Sequence, residues 1–191
     1  SGTKQWTKQL GTSSSDSGNG VTTDSSGNIY VTGSTGGGLD GNTNYGNDCS
    51  VPPRFWNSIN NCSDIFLVKY NSSGTKQWTK QLGTSSGDYG NDVTTDSSDN
   101  VYVTGYTGGG LDGNTSSGGR DIFLVKYNSS GTKQWTKQLG TSSGDYGNDV
   151  TTDSSGNIYV TGHTIGELDG NTNSGSYDIF LVKYNSSGIK Q

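Results

Sequence analysis

The sequence predicts an all-β protein of three tandem units of about 57 residues, each a four-stranded antiparallel sheet. Three observations carry this. The 35 residues DIFLVKYNSSGTKQWTKQLGTSSGDYGNDVTTDSS at 64–98 stand unchanged at 121–155. Gly74, Gly131 and Gly188 are spaced by 57, as are Trp78 and Trp135, while Trp6 and Trp78 are 72 apart. A fixed period of this length means stacked repeats of one supersecondary unit, here with about 15 additional residues in the first. Finally, the apolar residues gather in short β-branched and aromatic runs punctuated by Asp, Ser, Gly and Asn, the signature of strands and hairpin turns.

Composition sets bounds on this reading. Leu, Ile, Val and Phe make only 32 of 191 residues, which alone points to disorder. Disorder also calls for high net charge and few aromatics, whereas this chain has a net charge of −5, eleven Tyr and four Trp. The acidic pI of about 4.6 argues against a nucleic-acid partner, which needs a basic stripe. No apolar run is long enough for a membrane helix. The chain begins at Ser1 and contains no Met, as expected of a processed chain, a fragment or an engineered piece.

The units run over about 2–73, 74–130 and 131–187, the first interrupted by an insertion at about 45–63. In the second unit the first strand is Asn91 to Thr95. The turn Asp96 to Asn100 ends it, as do Asp24 to Asn28 and Asp153 to Asn157 elsewhere. Such residues tolerate positive φ or bond their own backbone. The second strand, Val101 to Gly105, leads into a Gly-rich connection at 107–120. The third, Asp121 to Tyr127, is apolar at both parities and so is buried on both faces. After Asn128 to Gly131, a polar fourth strand, Thr132 to Leu139, is anchored by Trp135.

A small polar first strand, two apolar middle strands and a polar outer strand describe a β-propeller blade. A parallel β-solenoid is the alternative, but tight hairpin turns favour antiparallel meanders. Residues 1–10 form an outer strand with no partner before it, and 178–191 supply a third strand without its fourth. These ends complete one blade, within or between chains. Three blades fall short of the usual four to eight. Two chains exchanging terminal strands make six blades, a contact that fails to close makes a filament, and a longer array is the third arrangement.

The strings DSSGNIYVTG at 24–33 and 153–162, DSSDNVYVTG at 96–105, and DIFLVKYNSSGTKQW resemble the bacterial SBBP-type β-propeller repeat. The resemblance covers the chain outside the insertion. It implies a secreted or surface-attached repeat protein and supplies no catalytic residues.

Candidate sites follow the repeats. Asp169, Asn171 and Asn173 match D-x-[DN]-x-[DN], a spacing that aims side-chain oxygens at a hard cation such as calcium, with Asp178 as a further carboxylate. Asp40, Asn42 and Asn44 keep the pattern, and Asp112, Asn114 and Ser116 weaken it. The alternative is ordinary turn chemistry. A second cluster, Tyr89, Asn91 and Asp92, repeats as Tyr146, Asn148 and Asp149 on a loop before the innermost strand. Its rings suit sugar stacking and its amides and carboxylates suit hydroxyls, against the plainer reading of turn formation. Cys49 and Cys62 form a disulfide that clips the insertion and implies an oxidising compartment, or else are two free thiols. Phe55 and Trp56 between them mark a partner-specific surface. His163, the only histidine, stands where the other units have Ser34 and Tyr106, and no catalytic role is expected of it.

The functional expectation is a non-enzymatic secreted or cell-surface protein, acting as a structural, self-assembling or adhesive module. Its expected partners are further copies of itself through the terminal strands, and glycans or surface proteins. A multivalent carbohydrate-binding propeller is the alternative, and a hydrolase is less favoured.

Overall fold

The computed structural model describes residues 2–46 and 63–191. The expected disulfide Cys49–Cys62 and the surface at Phe55 and Trp56 lie outside the described residues. Eleven strands follow in the described chain: β1 (Asp16–Thr23), β2 (Ile29–Thr35), β3 (Asp64–Tyr70), β4 (Lys76–Leu82), β5 (Asp88–Thr95), β6 (Val101–Thr107), β7 (Asp121–Tyr127), β8 (Lys133–Leu139), β9 (Asp145–Thr152), β10 (Ile158–Thr164) and β11 (Asp178–Tyr184). They form three antiparallel meanders. Sheet I is β1-β2-β3-β4, sheet II is β5-β6-β7-β8, and sheet III is β9-β10-β11. Each connection from a second to a third strand carries one 3₁₀ turn, at Leu39–Gly41, Leu111–Gly113 and Leu168–Gly170.

The turns form for the anticipated reason. Gly27, Asp99 and Gly156 hold φ of 75°, 60° and 77°, and the Asp24, Asp96 and Asp153 carboxylates accept bonds from the turn amides behind them. The third strands of sheets I and II are buried on both faces by strict alternation, whereas β11 buries only one. In β7, Phe123 and Val125 join Tyr30, Ile65 and Leu67 in the core between sheets I and II. Ile122 and Leu124 point the other way, into the core with Val150, Val160 and Val182 between sheets II and III.

The first strands meet edge to edge through a device invisible in the repeat pattern. A β-bulge at Asn19, between Gly18 and Gly20, frees that side chain to cross to the next sheet, where Nδ2 donates to Gly90 O at 2.8 Å. Asn91, bulged in the same way, donates to Gly147 O at 2.7 Å. The bulge recurs at Asn148, which is exposed beyond the last sheet.

Three expectations need correction. The first strands begin three residues earlier than Asn91, at Asp88, because Asp88 is buried and tied to Thr107 across the sheet. Tyr89 and Tyr146 therefore lie within strands, not on a preceding loop. Residues 4–10 repeat the KQWTKQL of β4 and β8 but form no strand, since no third strand lies beside them. Their docking is nonetheless that of a fourth strand. Trp6 and Lys8 lie against Gly74, as Trp78 and Lys80 lie against Gly131 and Trp135 and Lys137 against Gly188.

Candidate functional site

An antiparallel meander puts alternate connections at opposite ends. The Gly-rich connections and the links between sheets (84–87 and 141–144) share one rim. Three carboxylates brace that rim, two of them (Asp88 and Asp145) fully buried. Thr35, Thr107 and Thr164 donate through Oγ1 to Asp16, Asp88 and Asp145, respectively. Thr12, Thr84 and Thr141 donate backbone N–H to the same carboxylates at 2.6 Å. Burial pushes Asp88 up to about 6, against the hydrogen bonds of Thr107 and Thr84 and helped by the Asp64 charge. Burial also raises Asp64. Oδ1 of Asp64 and of Asp121 lies buried without a hydrogen bond, packed on Gly83 and Gly140.

On this rim the structure assembles a row of rings. Tyr89 and Tyr106 face each other across β5 and β6 and stack with centroids 4.9 Å apart. Tyr106 meets Tyr146 of sheet III edge-on at 5.0 Å, Tyr146 stacks on its cross-strand partner His163 at 4.7 Å, and His163 meets Tyr177 at 5.1 Å. These are favourable aromatic geometries. The Arg120 guanidinium lies 5.0 Å from the centre of Tyr106 and 5.5 Å from that of Tyr146, and its Nη1 donates to Tyr146 Oη at 3.3 Å. Burial raises Tyr106, with Arg120 acting in the opposite direction.

The sugar-binding expectation was divided between two jobs. Tyr89 and Tyr146 join the row, but Asn91 and Asp92 turn to the neighbouring sheet. Asp92 Oδ2 accepts from Val150 N at 3.0 Å, and burial raises its carboxyl with the help of Asp149. Asn148 and Asp149 are exposed on sheet III. The sequence-based reading missed Tyr106, Arg120, His163 and Tyr177 as one set. The signal was present: cross-strand pairing places 89 opposite 106 and 146 opposite 163.

The expected cation loops have their oxygens engaged separately. Asp40, Asp112 and Asp169 adopt φ of 53° and turn their carboxylates to Lys76, Lys133 and Lys190; Thr79 and Thr136 also donate to the first two. Asn42, Asn114 and Asn171 each donate Nδ2 to the carbonyl of the Leu three residues before. Asn44 Oδ1 accepts from Gly46 N, and Asn173 Oδ1 from Gly175 N. Asp178 Oδ2 accepts from Ser174 N. The loops thus clasp the fourth strand. Gln81 completes the clasp: its Oε1 accepts from Leu39 N, and its Nε2 donates to Gly37 O and to Asp64 Oδ2; Gln138 repeats this in sheet II. Among the described residues no group of three or more His, Cys, Asp or Glu is arranged to hold a metal.

Two four-stranded meanders and a three-stranded third, with turns of this chemistry, define a tandem all-β repeat protein. Residues 5–40, 77–112 and 134–169, more than half of the chain, match the SBBP family, described as a beta-propeller repeat. The chain belongs to that family. Each matched stretch after the first begins in the fourth strand of one sheet and ends in the 3₁₀ turn of the next, so the sequence unit straddles two sheets. The chain is also similar to an uncharacterised WD repeat-containing protein, L264, of Acanthamoeba polyphaga mimivirus, at 31% identity over 208 residues. A second relative is the regulatory protein FlaEY of Caulobacter vibrioides, at 26% identity over 180 residues. These alignments cover 95% and 88% of this chain but only 15% and 18% of the relatives.

Proposed function

We propose that the chain is a non-enzymatic, self-assembling structural or adhesive module of the cell exterior, whose propeller ring is completed by a second copy. The observation that carries this is the bare face of sheet III. Ile122 and Leu124 of β7 are 2% and 1% exposed, whereas their equivalents Ile179 and Leu181 of β11 are 92% and 72% exposed. Covering such a pair contributes roughly 1.5–3 kcal/mol per side chain. The complementary face lies at the other end: Val21 is 66% exposed, while its equivalents Val93 and Val150 are buried.

The open edge of β11 supports the same reading in polar detail. A groove of about 1040 Å³ runs along it, lined by Leu168, Asp169, Asp178, Phe180 and Gln191 among others. The bridge Tyr184↔Lys190 starts a fourth strand there. Without a glutamine to meet it, Leu168 N bonds Gly166 O instead. Residues 4–10 of a second copy carry what is needed: Trp6, Thr7 and Gln9 occupy the places of Trp78, Thr79 and Gln81. Head-to-tail docking of two chains repeats an interface the chain already makes twice, and closure gives six blades.

Light scattering at several concentrations tests this. The expected result is a discrete dimer near twice 20.0 kDa, lost in L181D and on deletion of residues 2–10. A ladder of growing oligomers replaces the closed ring with an open array. A monomer at every concentration overturns the proposal.

A further inference from the structure

The geometry points to a binding site for an acidic saccharide on the rim between sheets II and III, with Arg120 taking the sugar carboxylate between Tyr106 and Tyr146. The first support is where the repeats differ. Units two and three are identical through 64–98 and 121–155, and their differences fall between 99 and 120. From Tyr106/His163 onward these lie on the rim: Gly108/Ile165, Gly110/Glu167, Ser116/Asn173, Gly119/Ser176 and Arg120/Tyr177. Unit one has Ser17, Ser34 and Ser63 in place of Tyr89, Tyr106 and Arg120. A fixed scaffold that varies at one rim separates holding from presenting.

The second support is the state of the guanidinium. The four ion pairs among the described residues all use lysines. Arg120 is half-buried against two rings and donates one bond, to Tyr146 Oη. Arginine carries five N–H donors in a planar fork that fits a carboxylate in two parallel bonds, and partial desolvation strengthens them. Tyr177, 66% exposed at the end of the row, offers a flat ring to the C–H face of a pyranose. The net charge of −5 repels polyanions in general, so capture depends on this local fork rather than on the field of the whole molecule.

Blade order makes the site unique in the described chain. It needs Tyr and Arg at the positions of 106 and 120 on one sheet and Tyr at the position of 146 on the next. Between sheets I and II, Tyr89 is present but Ser34 and Ser63 replace the other two. The test is calorimetric titration with a short oligogalacturonate and its methyl ester, in the L181D background so that assembly does not enter. We expect one site per chain, at least tenfold weaker binding of the ester, and at least tenfold loss in R120Q. Y177A loses a smaller factor. S34Y/S63R builds a second site beside Tyr89 and raises the stoichiometry to two. No binding of the acid, equal binding of the ester, or unchanged binding in R120Q overturns the inference.

Discussion

Strands β7 and β11 share the seven residues DIFLVKY and the register of pairing to a second strand, but differ in what lies on their outer face and free edge. The β7 strand has a sheet on both sides and a fourth strand at its edge. In β11, Phe180 and Val182 pack inward, Ile179 and Leu181 face outward, and the bridge at Lys190 is all that stands at the edge. The sequence of a strand therefore states what it needs on each face, and the neighbour decides whether the need is met. In sheet III the same letters leave Ile179 and Leu181 exposed where sheet II buries Ile122 and Leu124.

The sharpest way to break this comparison is an acidic residue at equivalent sites. L124D places an unpaired carboxylate in the core between sheets II and III and should cost more than about 4 kcal/mol in urea denaturation. L181D should leave the stability of the isolated chain within about 1 kcal/mol, while abolishing assembly. Equal costs would mean that sheet III is covered in solution by something within the chain.

G105A and G162A provide the internal control. A Cβ at either position would lie 1.9 Å from a backbone oxygen of the paired first strand, Tyr89 O or Tyr146 O, and about 3 Å from Phe123 or Phe180. Both collisions are within one sheet, so both variants should lose about 2–4 kcal/mol, equally. A milder G162A would show that sheet III yields more readily than sheet II.

Acid separates the turns from the buried rim. Asp88 rises from 3.8 to about 6, so the folded state holds a proton that the unfolded state has released. Stability should therefore increase by up to about 3 kcal/mol as pH falls from 7 toward 4, and D88N should flatten that rise. Asp153 moves the opposite way, down to about 2, through bonds from Asn157, Tyr159 and Ser155. Asp24 and Asp96 are also lowered, their turn bonds outweighing burial. Their contribution is present above 3.8 and is lost as pH falls below it, so stability should turn over near pH 4 in thermal melts. The smallest effect is expected from K133M, which removes the half-exposed pair with Asp112 and should cost less than about 1 kcal/mol.

The strands and turns were legible because their signals are local. Positive φ at Gly27 follows from DSSGN, and the burial of both faces of β3 and β7 was anticipated by the apolar parities of DIFLVKY. The site was legible only in its parts. Tyr89 and Tyr146 drew attention through residue type, but Arg120 comes to lie between Tyr106 and Tyr146 only through strand pairing and the stacking of one sheet on the next. The bulged asparagines hid for the same reason: Asn91 reads as turn chemistry until the missing ladder partner shows where its amide goes.

The verbatim repetition of 64–98 at 121–155 has a consequence for folding itself. An unfolded chain holds two interchangeable copies of a third strand, fourth strand and first strand, so segment 64–98 can dock where 121–155 belongs. The misplaced arrangement makes the same contacts and strands a loop of one whole unit, which gives a trap that must reopen before the native order is reached. Only 99–120, where the units differ, tells the two threadings apart during the search. Refolding should therefore show a slow phase, and higher protein concentration should enlarge it as the same exchange occurs between chains.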